Sequence, residues 1–222
     1  SGGPGVDDPV DPTLRILFIG NSFTKDAVEH LPKIVDAAGI KTLKMTHLYY
    51  GGRTIPEYAD GYATRSDYTC YKYMPSSSVW LSYSGYTIRQ IVQEEPWDIV
   101  CIQEHTGNKA AWAWDATEKG AIESLLASVK ADNAKTPRFA YIMSQAYFNM
   151  DKIASGSRPY MTFATQSEMF DVIVAQAKKV LAETDIETII PTGTVLQNLR
   201  TSSLNNAMDL TRDGYHMDYG LS

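Results

Sequence analysis

The feature that most constrains this chain is a run dominated by apolar residues, Leu14 to Gly20, that passes through Asn21 and Ser22 into a helical pattern. A strand without apolar–polar alternation has both faces buried, the usual condition of a strand inside a parallel sheet. Beyond it, Ala27, Val28, Leu31, Ile34, Val35 and Ala38 recur at helical spacing until Gly39, which predicts one helix from Thr24 to Gly39. Strand, turn and helix in immediate succession are the repeating unit of an α/β fold.

The rest of the chain repeats that unit. A second strand is predicted within Lys41 to Tyr50, ending at Gly51-Gly52, a third at Trp97 to Gln103, a fourth at Arg138 to Met143 and a fifth at Glu187 to Pro191. Helices are expected at Thr87 to Glu94, Ala116 to Ala131 and Thr162 to Ala182. The alternation implies a three-layer α/β/α sandwich around a mostly parallel, five-stranded sheet with right-handed crossovers. A Tyr-rich stretch, 58–86, reads as an insertion carrying one hairpin. Residues 1–12, rich in Gly, Pro and Asp, read as a flexible tether ahead of one domain, 13–222. Such a leader suits an exported, periplasmic or cell-surface protein with a signal peptide or lipid-bearing cysteine once upstream. A remnant of an expression vector explains Ser1-Gly2 equally well.

With 222 residues and a net charge of -6, the chain offers no clustered Lys and Arg, which argues against a nucleic-acid partner. No apolar run approaches the roughly 18 residues that a spanning helix needs. Cys70 and Cys101 leave no Cys-x-x-Cys spacing, and no His and carboxylate set has ligand spacing, so neither a metal nor a cofactor is expected. A pairing of the two cysteines stays open.

In such sheets ligands bind at the carboxyl ends of the strands, where Ser22, Gly51-Gly52, Gln103 and Gln145 all fall. Ser22 opens a helix, so its N–H can point at a developing oxyanion, and its hydroxyl needs a base to become a nucleophile. The competing role is a plain helix cap. Asp213-Gly214-Tyr215-His216 supplies a histidine with a carboxylate three residues before it, able to fix the imidazole tautomer. A surface turn built on Asp213-Gly214 is the alternative. His30, His47 and His105 lack a carboxylate spaced in that way. Gly51-Gly52 offers either a close-approach backbone N–H or a simple tight turn, and Gln103 or Asn108 either a side-chain amide donor or a loop hydrogen bond.

Taken together, Gly20-Asn21-Ser22-Phe23-Thr24, Gly51-Gly52-Arg53-Thr54, Trp97 to Glu104 and Asp213-Gly214-Tyr215-His216 resemble the SGNH, or GDSL-like, hydrolases, and within them an uncharacterised branch common in gut Bacteroidetes. The resemblance runs from Leu14 to the end. It implies a flavodoxin-like sheet, Ser22 as nucleophile, His216 as base then acid, Asp213 as its orienting carboxylate, and an oxyanion hole of Ser22 N–H, Gly52 N–H and a third, side-chain donor. Most of the family carries Gly-x-Asn-Asp after the third strand. Here Gln103-Glu104-His105-Thr106-Gly107-Asn108 stands instead, and position favours Gln103. The family usually continues with a helix where this chain stops, six residues after His216.

Aromatic residues outside the predicted elements, at Tyr58, Tyr62, Tyr68, Tyr71, Tyr73, Trp80, Trp112 and Trp114, suit stacking on sugar rings or packing of the insertion. The expected substrate is a small-molecule or glycan ester, with an acetyl group on carbohydrate favoured. The rival readings are a glycan-binding domain without turnover and an acyltransferase using the same triad.

Overall fold

The computed structural model describes residues 13–74, 79–104, 114–148 and 162–218. The strands are β1 (Leu14–Gly20), β2 (Leu43–Tyr49), β3 (Tyr68–Tyr73), β4 (Leu81–Tyr86), β5 (Ile99–Gln103), β6 (Arg138–Ile142) and β7 (Thr188–Ile190). The helices are α1 (Ser22–Val28), α2 (Leu31–Ala37), α3 (Ile55–Gly61), α4 (Ile88–Glu94), α5 (Ala116–Asp132), α6 (Gln166–Glu183) and α7 (Thr192–Leu199).

One seven-stranded sheet runs in the order β4-β3-β2-β1-β5-β6-β7. The five strands expected from the sequence form its parallel part, with Leu14 beside Leu43, Ile16 beside Ile99, Ile99 beside Arg138 and Ala140 beside Thr188. The count of five is therefore two short. The Tyr-rich stretch contributes β3 and β4, which extend the sheet antiparallel beyond β2. β4 is largely exposed, and its alternation of Leu81 and Tyr83 with Ser82 and Ser84 is too short to set it apart within the insertion.

The single helix expected over 24–39 is two. Pro32 has no N–H to donate into a continuing helix, and the chain restarts there with proline in the first turn of α2. Side-chain caps mark four helix starts: Asn21 for α1, Thr87 for α4, Asp115 for α5 and Thr165 for α6.

The inner strands β2, β1, β5 and β6 bury both faces. Leu17 and Ile19 pack with Ile55, Ile91, Leu125 and Ile173 of helices α3 to α6, whereas Phe18, Met45 and Cys101 pack with Val28 and Val35 of α1 and α2. Cys70 belongs to the first core and Cys101 to the second, with β2 and β1 between their strands. At about 4.8 Å per strand that separation is far beyond disulfide reach, and both are free thiols. Among the described residues no helix is long and apolar enough to cross a membrane.

Candidate active site

The polar turn after β1 is built around Asn21. Its carboxamide oxygen accepts from Phe23 N at 3.0 Å, capping α1, while its Nδ2 donates to Arg53 O at 3.1 Å. The cap is thus Asn21 and not Ser22. Ser22 becomes the first helical residue, half-buried, with its hydroxyl released from the capping role the sequence also allowed. Gly20 is required by close approach, because a Cβ there would sit 2.0 Å from Thr24 Oγ1.

Asn21's second bond ties this turn to the loop after β2. Gly52 lies there at φ +71°, a conformation that favours glycine, with nothing within 4 Å of the place a Cβ would occupy. Its N–H and that of Ser22 have no hydrogen-bond partner among the described residues. The loop is braced again by Glu104, whose carboxylate accepts from Ile55 N at 2.7 Å at the start of α3. Arg53, buried, lies over the Tyr50 ring at 3.5 Å and meets Asp67 through both terminal nitrogens at 3.3 Å.

Gln103 does not face this opening. Its Oε1 accepts from Asn21 N at 3.2 Å and Thr24 Oγ1 at 3.1 Å, and its Nε2 donates to Glu104 O at 2.6 Å and Ser144 Oγ at 3.1 Å. Fully buried, with both amide hydrogens engaged, it has none left for a substrate oxygen. The side-chain donor expected of Gln103 is replaced by a structural role: it staples the ends of β1, β5 and β6. The other candidate, Asn108, lies outside the described residues, as do His105 and Trp112.

The histidine expected to act as base enters from a late loop. Asp213 Oδ2 lies 2.6 Å from His216 Nδ1, while Asp213 Oδ1 accepts from Tyr215 N at 3.2 Å and His216 N at 2.9 Å. Partial burial works against the Asp213 carboxylate, but the imidazole and these two N–H groups outweigh it and hold its pKa below the ordinary carboxylate value. With Nδ1 committed to Asp213, Nε2 is the nitrogen left for proton transfer. The imidazole packs edge-on against Phe23, the residue after Ser22, at 5.7 Å between ring centres, and lies 4.3 Å from the half-exposed Tyr215 ring. Gln145 Nε2 donates to Tyr215 O at 2.9 Å, and Phe148 N to Gly214 O at 2.6 Å, fastening the loop to the chain that leaves β6. Residues from 20 to 217 therefore meet at one end of the sheet.

The described rival histidines are placed elsewhere. His47 is buried in β2, its Nε2 3.4 Å from Gly20 O, and burial pushes its pKa down to about 3, so it stays neutral. His30 precedes α2. An apolar cavity of about 480 Å³, lined in part by Phe18, Leu31, Cys101 and Ile142, lies on the α1–α2 side of the sheet. Its thiol is inert, since burial pushes Cys101 up to about 12. The polar cluster, not cavity size, locates the site.

A mostly parallel sheet between helix layers carries a serine after β1 and an Asp-x-x-His loop at its carboxyl end, the layout that the resemblance to the SGNH, or GDSL-like, hydrolases implied. The chain belongs to the family described as Domain of unknown function (DUF4886), whose sequence profile matches residues 15–222. It is similar to a solved DUF4886 family protein from Bacteroides uniformis, at 26% identity over 93% of this chain and 76% of that one, TM-score 0.78. It also shares its fold with a candidate acylhydrolase from Bacteroides fragilis, at 17% identity over 96% of this chain and 82% of that one, TM-score 0.53. A GDSL-like lipase from Bacteroides thetaiotaomicron aligns at 15% identity over 96% of this chain and 84% of that one, TM-score 0.49. No curated protein matches by sequence.

Proposed function

We propose that the protein is a serine esterase acting on acyl groups, with acetyl esters of carbohydrate as its substrate class. The observation that carries the reading is the Asp213–His216 pair at 2.6 Å, with its imidazole seated against the residue that follows Ser22. In this reading His216 Nε2 takes the proton of Ser22 Oγ as the oxygen attacks the ester carbonyl. The N–H groups of Ser22 and Gly52 receive the oxyanion, and His216 returns its proton to the departing alcohol. Water then attacks the acyl-enzyme by the same route, releasing the acid and regenerating Ser22.

The sugar half of the reading rests on one aromatic ring. Tyr58, Tyr62, Tyr68 and Tyr73 are buried and pack the insertion, which leaves Tyr215, 40% exposed beside His216, as an accessible ring at the site. The test is labelling by a fluorophosphonate together with release of acetate from acetylated xylan and from p-nitrophenyl acetate. Wild-type protein is expected to label and Ser22→Ala not to. Labelling retained in Ser22→Ala overturns the nucleophile; sugar binding without labelling or turnover replaces the esterase by a binding domain.

A further inference from the structure

We infer that Asp26 is a positioning residue that holds the His216 loop in register with the helix bearing Ser22, an inference that rests on the esterase reading above. Asp26 stands four residues after Ser22, one turn along the same face of α1. Its side chain is completely buried. A carboxylate in that state requires partners, and two of Asp26's come from far along the chain. Oδ1 accepts from Arg212 Nη2 at 3.0 Å and Oδ2 from Met217 N at 2.9 Å, across 186 and 191 residues of sequence.

Those two partners are the residues on either side of Asp213–His216. Arg212 N donates to His216 O at 3.0 Å, Thr211 pairs with Met217, and the Arg212 guanidinium also donates to Met217 O. The base-bearing turn is thus a small closed loop with two stems, and one carboxylate grips both. A single bond would leave the loop free to pivot; two bonds from the two oxygens of one rigid group fix its position and its rotation. Gln145 and Phe148 hold the other flank to the segment after β6. Asp26 provides the polar tie to the nucleophile's own helix, so an error in its grip becomes an error in the approach of His216 Nε2 to Ser22 Oγ. Misplacement of about 1 Å between reacting groups is worth on the order of 10²-fold in rate.

The experiment compares the full chain with Asp26→Asn, Arg212→Gln and the double variant, using p-nitrophenyl acetate turnover and the rate of fluorophosphonate labelling at Ser22, at a temperature where circular dichroism shows each fully folded. In Asp26→Asn the amide turns a donor toward either Arg212 or Met217 N–H, so one stem is released. The expected result is a kcat and a labelling rate about 10- to 100-fold lower, with KM within about threefold. Arg212→Gln should fall in the same direction by a smaller factor, and the double variant should be little worse than Asp26→Asn, because both act on one contact. A purely stabilising salt bridge would lower the melting temperature and leave kcat of the folded protein untouched; that outcome overturns the inference. If Asp26→Asn does not fold, Arg212→Gln decides, and wild-type kcat there overturns it. Wild-type protein that neither labels nor turns over refutes the esterase reading and this inference with it, whereas a wild type that labels and an Asp26→Asn that labels equally fast refutes Asp26 alone.

Discussion

Replacing Gln103 by alanine separates a structural amide from a catalytic one. The side chain makes four hydrogen bonds with no exposure to solvent, to Asn21 N, Thr24 Oγ1, Glu104 O and Ser144 Oγ. Truncation leaves Asn21 N–H buried without its acceptor, at a cost of about 1–3 kcal/mol, and removes an acceptor from the Thr24 hydroxyl, about 1 kcal/mol more. Ser144 suffers less, since its hydroxyl still donates to Glu104 O. Adding about 1 kcal/mol for the cavity gives a total of about 3–5 kcal/mol. In a chain of this length that corresponds to a fall in melting temperature of about 6–20 °C. Thermal unfolding followed by circular dichroism measures it, with kcat on p-nitrophenyl acetate determined well below the transition. A melting temperature within about 2 °C of wild type, combined with a turnover about 100-fold lower, would mean that the amide serves a substrate oxygen and that the stapling argument is wrong.

Other outcomes follow from the same geometry. Gly20→Ala should lower both stability, by about 1–3 kcal/mol, and turnover, because the new methyl would meet Thr24 Oγ1 at 2.0 Å and displace the Ser22 turn; urea unfolding and steady-state kinetics check this. His216→Ala should reduce kcat about as much as Ser22→Ala, on the order of 10³-fold or more, and the double variant should be scarcely worse; additive losses would show that the two do not act together. Burial first, and then Asp115, raise the Glu118 pKa to about 7, with Glu104 opposing. The folded state then holds a proton that the unfolded chain gives up near 4.5, so stability is lost as pH rises toward and through 7. Glu118→Gln should therefore stabilise by about 2–3 kcal/mol at pH 8 and by almost nothing at pH 4; melting curves at the two pH values test the sign.

What the sequence made legible is what is local. β1, β5 and β6 announce themselves because buried parallel strands are near-continuous apolar runs, and Asp213–His216 because the pairing spans one turn. Two further elements were within reach: Thr54 and Glu57 form a capping box that starts α3, and Pro32 marks the break between α1 and α2. α7 lacks a side-chain cap and follows a three-residue strand, so its pattern is too brief to stand out. The roles of Gln103 and Asp26 were not readable at all. The direction of an amide and the burial of a carboxylate are settled by partners 82 and 186 positions away, which no window of sequence contains.

Those 186 positions between Asp26 and Arg212 also have a meaning in time. At about 5–20 residues per second of synthesis, roughly 10–40 s pass between the emergence of α1 and that of its clamp. During that interval the Asp26 carboxylate lacks these two partners and, on the esterase reading, Ser22 lacks its base, however complete the first strands have become. On the esterase reading, the docking of one short loop, not formation of the sheet, is then the last event that completes the site.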